Sequence, residues 1–369
     1  MSAAGIKELR EQVDRLDREI LDLLNRRAGL SLEIGRLKHE EKRAIHDPGR
    51  ERDLIEALAR GNRGPLSAEG LRRVYTEIVS ACRSLQGRTR VACLGPAGTF
   101  SHAAALAHFG GSVEVRPLES IDRVFGEVEG GRADYGVVPV ENSTEGTVGL
   151  TLDRFLSSDL GLCGEVCLGV SLALLSRATG LAGVRRVLSH PQALAQCRAW
   201  LDRRLPGAVR VDAASTAAAA EAAAGDQEAA AVGSPLLADI HGLAVLAEDI
   251  QDLAGNQTRF AVIGRDRPSR TGRDKTSLWF IAPHRPGSLH EALGHFAELG
   301  VNLTRIESRP ARSEPWEYVF FVDLEGHQAD EAVREALSRL AASVIRNRVL
   351  GSYPRAARNG RPAAAPRDL

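Results

Sequence analysis

Residues 6–42 read IKELREQVDRLDREILDLLNRRAGLSLEIGRLKHEEK, and this stretch decides the first part of the fold. Apolar residues occupy positions 6, 9, 13, 16, 20, 23, 30, 34 and 37, in steps of three and four that are typical of a coiled-coil seam. A helix of this length measures about 54 Å at 1.5 Å per residue. A small domain cannot cover such a seam alone, so the pattern predicts a partner helix.

The seam is interrupted by a cation at its next inward position, Arg27. Lys38 follows eleven residues later and shares that face, because eleven residues make three turns and about 20°. Two cations on a largely apolar face indicate an anionic ligand among the helices, although a snorkelling Arg27 is an alternative explanation. Arg10 lies about 25 Å from Arg27 along the helix. It can join the same pocket only from an antiparallel second chain, which favours an intertwined dimer.

Two more helices are predicted after the break at Asp47-Pro48, one over 48–60 and one from a Ser67 cap to about Gln86. Polar residues at one-turn spacing accompany them: Asp47, Arg50 and Glu51 in DPGRERD, and Cys82 with Gln86.

Residues 6–86 resemble the all-helical chorismate mutase family. The matching residues are LR at 9–10, LD at 16–17, RR at 26–27, G-x-x-K from Gly35 to Lys38, DPGRERD at 47–53 and the final Gln86. The resemblance implies rearrangement of chorismate to prephenate without a cofactor.

The same resemblance implies a role for each polar residue. Arg10 of a partner chain and Arg27 would bind carboxylates, and Lys38 and Gln86 would donate to the ether oxygen as the catalytic pair. The remaining contacts would come from Asp47 and Arg50, which orient the ligand, from Glu51, which accepts from its hydroxyl, and from Cys82, where the family often has a hydroxyl side chain. The alternative is a helical segment that dimerises and regulates without mutase activity.

From Arg90 onward, short β-type runs alternate with helical stretches, which predicts an α/β fold. The runs lie at 91–94, 135–140, 187–189, 209–211, 229–232 and 260–263. Polar motifs sit at strand-to-helix junctions: GPAGTFSH (95–102), ENSTEG (141–146), SHPQALAQC (189–197), Ser215-Thr216 and NQTRF (256–260). Each motif alone has a structural explanation, such as a helix cap for Thr99 or Ser101 and a turn for Asn142.

Together and in this order, the motifs make residues 90–265 resemble prephenate dehydratase. The resemblance implies two α/β lobes around a cleft, as in periplasmic binding proteins, and loss of carbon dioxide and the ring hydroxyl to give phenylpyruvate. Thr258 would be the catalytic donor to the leaving hydroxyl, polarised by Arg259 or by a helix end. The other implied binding residues are Thr99, Ser101, Asn142, Ser189, Gln196, Thr216 and Arg259. A solute-binding module without turnover is the alternative.

A charged linker at 265–275 precedes a βαββαβ pattern, with strands at 277–282, 301–307, 317–323 and 344–350 and helices at 288–299 and 328–342. This segment resembles an ACT regulatory domain through HRPGSLHEAL (284–293), GVNLTRIESRP (300–310) and WEYVFFVD (316–323). The resemblance implies an L-phenylalanine site between paired domains, although Gly287 could also simply make a turn. The implied effector residues are Gly287, Ser288 (usually Ala in the family), Leu289, Glu307, Ser308 and Arg309.

The predicted domains are therefore 1–88 (all-helical), 89–267 (two α/β lobes) and 275–352 (α+β), with a disordered tail at 353–369. Together they imply a bifunctional enzyme that converts chorismate and then prephenate, with feedback inhibition by L-phenylalanine. The 369 residues carry zero net charge and five cysteines without paired metal spacing. We expect no metal, cofactor, nucleic-acid partner or membrane contact, and a cytoplasmic homodimer or higher oligomer.

Overall fold

Three helices form the N-terminal part of the chain: α1 (Ala3–Glu40), α2 (Pro48–Gly61) and α3 (Ala68–Ser84). This computed structural model describes residues 3–41, 45–311 and 317–356. The Asp47 carboxylate caps α2 and the Ser67 hydroxyl caps α3, so the predicted breaks between helices are confirmed. Helix α1 keeps its apolar seam exposed. Nine seam residues are 45–62% exposed: Ile6, Leu9, Val13, Leu16, Ile20, Leu23, Leu30, Ile34 and Leu37.

The chain divides into two compact units. The helical unit comprises the chain up to Thr89 together with Phe109–Glu114, and the second unit comprises Arg90–His108 and the chain from Val115 onward. The loop at 109–114 belongs to the helical unit because Arg83 donates to the Phe109 carbonyl and Glu77 accepts from the Gly111 amide.

The second unit begins with two α/β lobes, which confirms the predicted fold class. Lobe 1 contains β1 (Arg90–Leu94), α4 (Phe100–Phe109), β2 (Glu114–Leu118), α5 (Ile121–Glu129), β3 (Tyr135–Asn142), β4 (Gly146–Thr147), α6 (Gly149–Ser157) and β5 (Gly161–Gly169). Lobe 2 contains β6 (Ala173–Ser176), β7 (Arg186–Ser189), α7 (Pro191–Gln196), α8 (Arg198–Arg204), β8 (Val209–Asp212), α9 (Thr216–Ala224), β9 (Ala229–Gly233), α10 (Leu236–His241) and β10 (Ala244–Ala247). The chain then returns to lobe 1 as β11 (Gln257–Gly264).

The sheet of lobe 1 has the order β2-β1-β3-β11-β5, with β4 paired to β3, and that of lobe 2 has the order β10-β6-β9-β7-β8. Strand β1 runs parallel to β3, and β7 runs parallel to both β8 and β9. Polar loops after these parallel strands therefore gather at the carboxyl edge of each sheet, where α/β folds bind ligands.

A four-stranded C-terminal sheet completes the second unit. Its elements are β12 (Asp274–Ile281), α11 (Ser288–Glu298), β13 (Leu303–Pro310), β14 (Tyr318–Glu325), α12 (Glu331–Ser343) and β15 (Arg346–Pro354). The order β13-β14-β12-β15 confirms the predicted βαββαβ arrangement. One face of this sheet shares a core with lobe 1 through Trp279, Val319 and Phe321.

Several details differ from the sequence predictions. The predicted runs do not include the strands β2, β4, β5, β6 and β10. Strand β5 contains Cys163, which is buried, and Cys167, which is partly exposed. Strand β15 continues to Pro354, so the predicted disordered tail cannot begin at 353. Residues 357–369 of that tail, and Trp316 of WEYVFFVD, lie outside the described residues. Among the described helices, none is long and apolar enough to cross a membrane.

Candidate functional site

The helical unit brings four of the predicted mutase residues together near the end of α1. A Cβ added at Gly35 would lie 2.8 Å from Gln86 Cγ, so the glycine lets the Gln86 side chain rest directly on α1. One helical turn further, Lys38 Nζ donates to the Ile45 carbonyl at 2.7 Å. Both Lys38 and Asp47 act electrostatically on the Glu51 carboxyl.

A buried arginine holds Glu51 in place. Arg83 Nη1 lies 2.6 Å from Glu51 Oε2, and His46 Nε2 lies 3.7 Å from the same oxygen. Burial raises the pKa of the Glu51 carboxyl, and the positive charges of Arg83 and Lys38 oppose that rise only in part. The contact with Arg83 fixes the position of the Glu51 carboxyl, whose predicted role is to accept from a ligand hydroxyl.

Two polar atoms of this site are buried with no hydrogen-bond partner among the described residues: Nη1 of Arg27 and Oε1 of Gln86. Burying a polar group without a hydrogen bond costs free energy, so we expect a ligand or another chain to supply the missing partners. Cys82 is buried, whereas Arg50 and Arg10 are exposed. Arg10 lies far along the same uninterrupted helix and is not brought to the other residues within one chain.

In lobe 1, Asn142 at the end of β3 and Thr258 at the start of β11 stand side by side. Asn142 Nδ2 donates to Thr258 Oγ1 at 2.8 Å. Asn142 Oδ1 accepts from the Thr144 amide at 2.9 Å and from the Glu145 amide at 3.1 Å. The turn explanation for Asn142 therefore holds, and the same turn fixes which way its amide points.

The two lobes meet around this pair. Glu145 of lobe 1 accepts from Gln192 and, at 3.5 Å, from Gln196 of lobe 2. Ser234 of lobe 2 donates to the Gly98 carbonyl of lobe 1. The ENSTEG turn, the SHPQ helix and the GPAGTF loop consequently border one cleft.

The remaining motif residues occupy the ends of strands and helices along this cleft. Thr99 donates to the Leu94 carbonyl at 2.9 Å and accepts from the His102 amide, which is the capping arrangement. Ser101 is buried in the first turn of α4. Ser189 is also buried and donates to the Val232 carbonyl at 2.6 Å. Thr216 opens α9, whose cap is Ser215.

Arg259 does not belong to this cleft, so its prediction as a substrate-binding or polarising residue is corrected. It follows Thr258 on a strand, where successive side chains point to opposite faces. Its guanidinium donates to Glu165 at 2.8 Å, to Asp323 and, at 3.0 Å, to the Tyr353 hydroxyl. The Arg259 guanidinium therefore binds the C-terminal sheet and β5.

A cavity of about 410 Å³ lies at the start of α11, lined among others by Ser288, Leu289, Tyr318 and Phe320. Gly287, which caps α11, adopts a φ of +81°, a left-handed conformation that favours glycine. Three predicted effector residues therefore lie at or beside this cavity.

Glu307 and Arg309 do not line this cavity, so their assignment to the effector site stays a prediction. Thr147 donates to Glu307 at 2.9 Å, and Arg309 lies 3.3 Å from Asp153. Both side chains thus bind lobe 1. Ser308 points to the opposite face of β13 and is exposed.

Sequence reasoning missed Arg83, Glu145 and Gln192. The high arginine content hid Arg83, although a buried arginine needs a partner such as Glu51. Glu145 and Gln192 stand inside motifs that were recognised, and their contact across the cleft depends on how the lobes close.

Three family models match successive segments of this chain. Residues 9–87 match the family model of chorismate mutase type II, residues 91–268 that of prephenate dehydratase, and residues 276–342 that of the ACT domain. The bifunctional chorismate mutase/prephenate dehydratase of Aquifex aeolicus is 48% identical over 355 residues, which cover 95% of this chain and 98% of the relative. That of Stutzerimonas stutzeri is 44% identical over 360 residues, covering 96% and 99%.

A solved structure is also similar to most of this chain. The crystal structure of prephenate dehydratase in complex with L-Phe from Arthrobacter aurescens is 39% identical, has a TM-score of 0.66, and covers 72% of this chain and 90% of that one. With a relative of this identity matched over nearly its whole length, the chain belongs to the family of bifunctional chorismate mutase/prephenate dehydratases.

Proposed function

We propose that Thr258 is the donor that assists departure of the ring hydroxyl from prephenate, and that Asn142 orients it. The hydrogen bond of 2.8 Å from Asn142 Nδ2 to Thr258 Oγ1 carries this proposal. Because the amide donates, the threonine oxygen accepts there and its own hydrogen is left to point elsewhere. The backbone amides of Thr144 and Glu145 hold the Asn142 oxygen and fix this polarity.

The reaction requires little more than this. The bond between the ring and the departing carboxylate breaks, its electrons enter the ring, and carbon dioxide leaves. The hydroxyl departs with its bonding pair from the ring carbon opposite. A threonine hydroxyl keeps its proton at neutral pH, so it stabilises the departing oxygen as a placed donor. Ser101, Ser189, Gln196 and Thr216 along the cleft, with Thr99 fixing the loop, are the proposed groups that orient the two carboxylates.

Isosteric replacement of the hydroxyl tests this role. In Thr258→Val, we expect kcat for prephenate to fall about 10²–10³-fold, as for loss of one transition-state donor. Thr258→Ser keeps a hydroxyl and is expected to retain most of the activity. Steady-state assays of phenylpyruvate formation measure both variants, with chorismate turnover by the same preparations as an internal control. Full activity of the valine variant would show that the Thr258 hydroxyl has no catalytic role.

The mutase reaction takes place, we further propose, in a pocket that two copies of this chain share. Arg27, Lys38 and Gln86 of one chain and Arg10 of its partner would hold the chorismate dianion, because arginine binds carboxylates bidentately. Lys38 and Gln86 would donate to the ether oxygen, and Asp47, Arg50, Glu51 and Cys82 would complete the contacts. The exposed seam of α1 and the orphaned atoms of Arg27 and Gln86 support a homodimer.

The cavity beside Gly287, Ser288 and Leu289 is the proposed effector site, and L-phenylalanine is the proposed inhibitor. The related structure in complex with L-Phe supports this assignment. The amides of the first turn of α11 suit a carboxylate, and Tyr318 and Phe320 suit an aromatic ring. Calorimetric titration should show saturable binding of L-phenylalanine and none of L-alanine; equal heats from both amino acids would contradict the assignment.

A further inference from the structure

Strands β3 and β11 carry two neighbouring residue pairs that face opposite sides of the sheet. Thr258 lies opposite Asn142, and Arg259 lies opposite Glu141. Since side chains alternate along a strand, the Thr258–Asn142 pair lies on one face and the Arg259–Glu141 pair on the other. The proposed hydroxyl donor and a buried cation are thus adjacent residues of one strand.

Side chains from several strands of the C-terminal sheet contact the Arg259 guanidinium or its partner Glu165. Asp323 of β14 and the Tyr353 hydroxyl of β15 both bind the Arg259 guanidinium. Glu165 of β5 binds it at 2.8 Å and is also bound at 2.8 Å by Lys275 of β12. The side chains of Arg259, Glu165 and Asp323 are only 13%, 2% and 6% exposed.

Arg259 and the residues that bind it or its partner, namely Glu165, Asp323, Tyr353 and Lys275, are called the clamp below. The carboxylates of Glu165 and Asp323 in this clamp are both charged. Burial disfavours ionisation of Glu165 and Asp323, but the attraction of Arg259 and Lys275 outweighs it and lowers the pKa of each carboxyl. Ser277 donates to Asp323 and also contacts the Tyr353 hydroxyl at 2.6 Å, so the clamp is hydrogen-bonded on its far side too.

Packing of the C-terminal sheet against lobe 1 does not require such a clamp. Trp279, Val319 and Phe321 already share an apolar core with lobe 1. Replacing a buried ion pair by apolar side chains is often neutral or stabilising, so a buried pair is weak evidence for a role in stability alone. What the clamp adds is a fixed position for one residue of β11.

We propose that Arg259 is a positioning residue through which the C-terminal sheet sets the place of the Thr258 hydroxyl, so that an effector bound to that sheet regulates the dehydratase site. The inference rests on the proposed role of Thr258. A shift of Asp323 or Tyr353 moves the guanidinium, and with it the strand that carries the donor. Misplacing a reacting group by about 1 Å costs on the order of 10²-fold in rate.

A second contact reaches the other strand of the pair. Arg305 of β13 lies 3.1 Å from Glu141, and it also donates to Thr147 at 3.0 Å. Glu141 is 41% exposed, so this contact is weaker than the Arg259 clamp. It nevertheless ties both strands of the Thr258–Asn142 pair to the same sheet.

The full chain carrying Asp323→Asn tests the proposal, because this change removes one charge of the clamp and keeps its shape. We expect kcat for prephenate to fall about tenfold while KM stays within about twofold, and the L-phenylalanine concentration for half-inhibition to rise. Asp153→Asn is the matched control. It breaks an ion pair with Arg309 between the same sheet and lobe 1, but α6 carries no residue of the cleft, so both quantities should stay within about twofold of wild type.

Tyr353→Phe removes only one hydroxyl from the clamp and should give a smaller change in the same direction. It keeps the test decisive if Asp323→Asn does not fold, as judged by thermal melting. The proposal is overturned if the clamp variants lower the melting temperature yet match Asp153→Asn in kcat and inhibition. The role of Thr258 is judged separately, because it fails when Thr258→Val retains turnover, whatever Asp323→Asn does.

Discussion

Helix α1 exposes its apolar seam, with Leu9, Leu16 and Leu23 each more than half exposed, whereas β11 buries every residue from Phe260 to Gly264. The polar groups differ in the same way. Among the described residues, Arg27 Nη1 and Gln86 Oε1 are buried without a hydrogen-bond partner, but Asn142 donates to Thr258 within the same chain.

This contrast bears on where each proposed reaction takes place. Buried polar groups and large apolar seams are stable only when something covers them. We therefore propose that the mutase site includes residues of a second chain, and an antiparallel partner that would deliver Arg10 is the simplest source. The proposed dehydratase residues Asn142 and Thr258 contact each other within one chain, and one buried ion cluster links their strands to the C-terminal sheet.

The largest effect that separates the two regions is expected from Lys38→Ala. Loss of this donor to the ether oxygen should raise the mutase barrier by about 3–4 kcal/mol, or about 10²–10³-fold in kcat, and leave prephenate turnover unchanged. Arg36→Ala is the control, since Arg36 is exposed two residues away on the same helix. Rates with chorismate and with prephenate measure both variants. A loss below about fivefold would favour the hypothesis of a helical segment that only dimerises and regulates.

A smaller effect concerns acid stability of the second unit. A carboxyl with a lowered pKa in the folded state contributes stability that is present above its unfolded pKa, near 4, and is lost as pH falls through the folded pKa. Glu165 and Asp323 are such groups. The free energy of unfolding should therefore fall below about pH 4, by up to about 1.4 kcal/mol per pH unit for each proton taken up.

In Asp323→Asn this pH dependence should be shallower, because one titrating group is gone. All three tryptophans of the chain, at 200, 279 and 316, follow residue 115, so their fluorescence in denaturant titrations reports the second unit. Equal slopes for the variant and the wild type between pH 4 and 3 would contradict the lowered pKa of Asp323.

Short-range sequence patterns were sufficient to predict much of the fold. The seam of α1, the Ser67 cap and the βαββαβ order all depend on short-range periodicity and capping, and each is present in the structure. Strand β5 was missed because GLCGEVCLG contains three glycines, which weaken a strand pattern, and its place beside β11 is a long-range property.

The site residues show the same limit. Thr258 and Asn142 were both predicted from motifs, and their contact follows from the pairing of β3 with β11. Arg259 was misplaced because a motif records neighbours in sequence, whereas strand alternation sends consecutive side chains to opposite faces. Its partner Asp323 lies 64 residues away, and nothing local to Arg259 points to it.

Complementation between inactive chains tests the shared mutase pocket most directly. Arg10→Ala and Lys38→Ala chains are each expected to lack mutase activity, and co-expression should restore about a quarter of the wild-type activity, because about half of the dimers are mixed and each then has one intact site of two. Prephenate turnover should be the same in all three preparations. No restoration on co-expression, or full mutase activity of Arg10→Ala alone, would contradict a pocket that takes Arg10 from the partner chain.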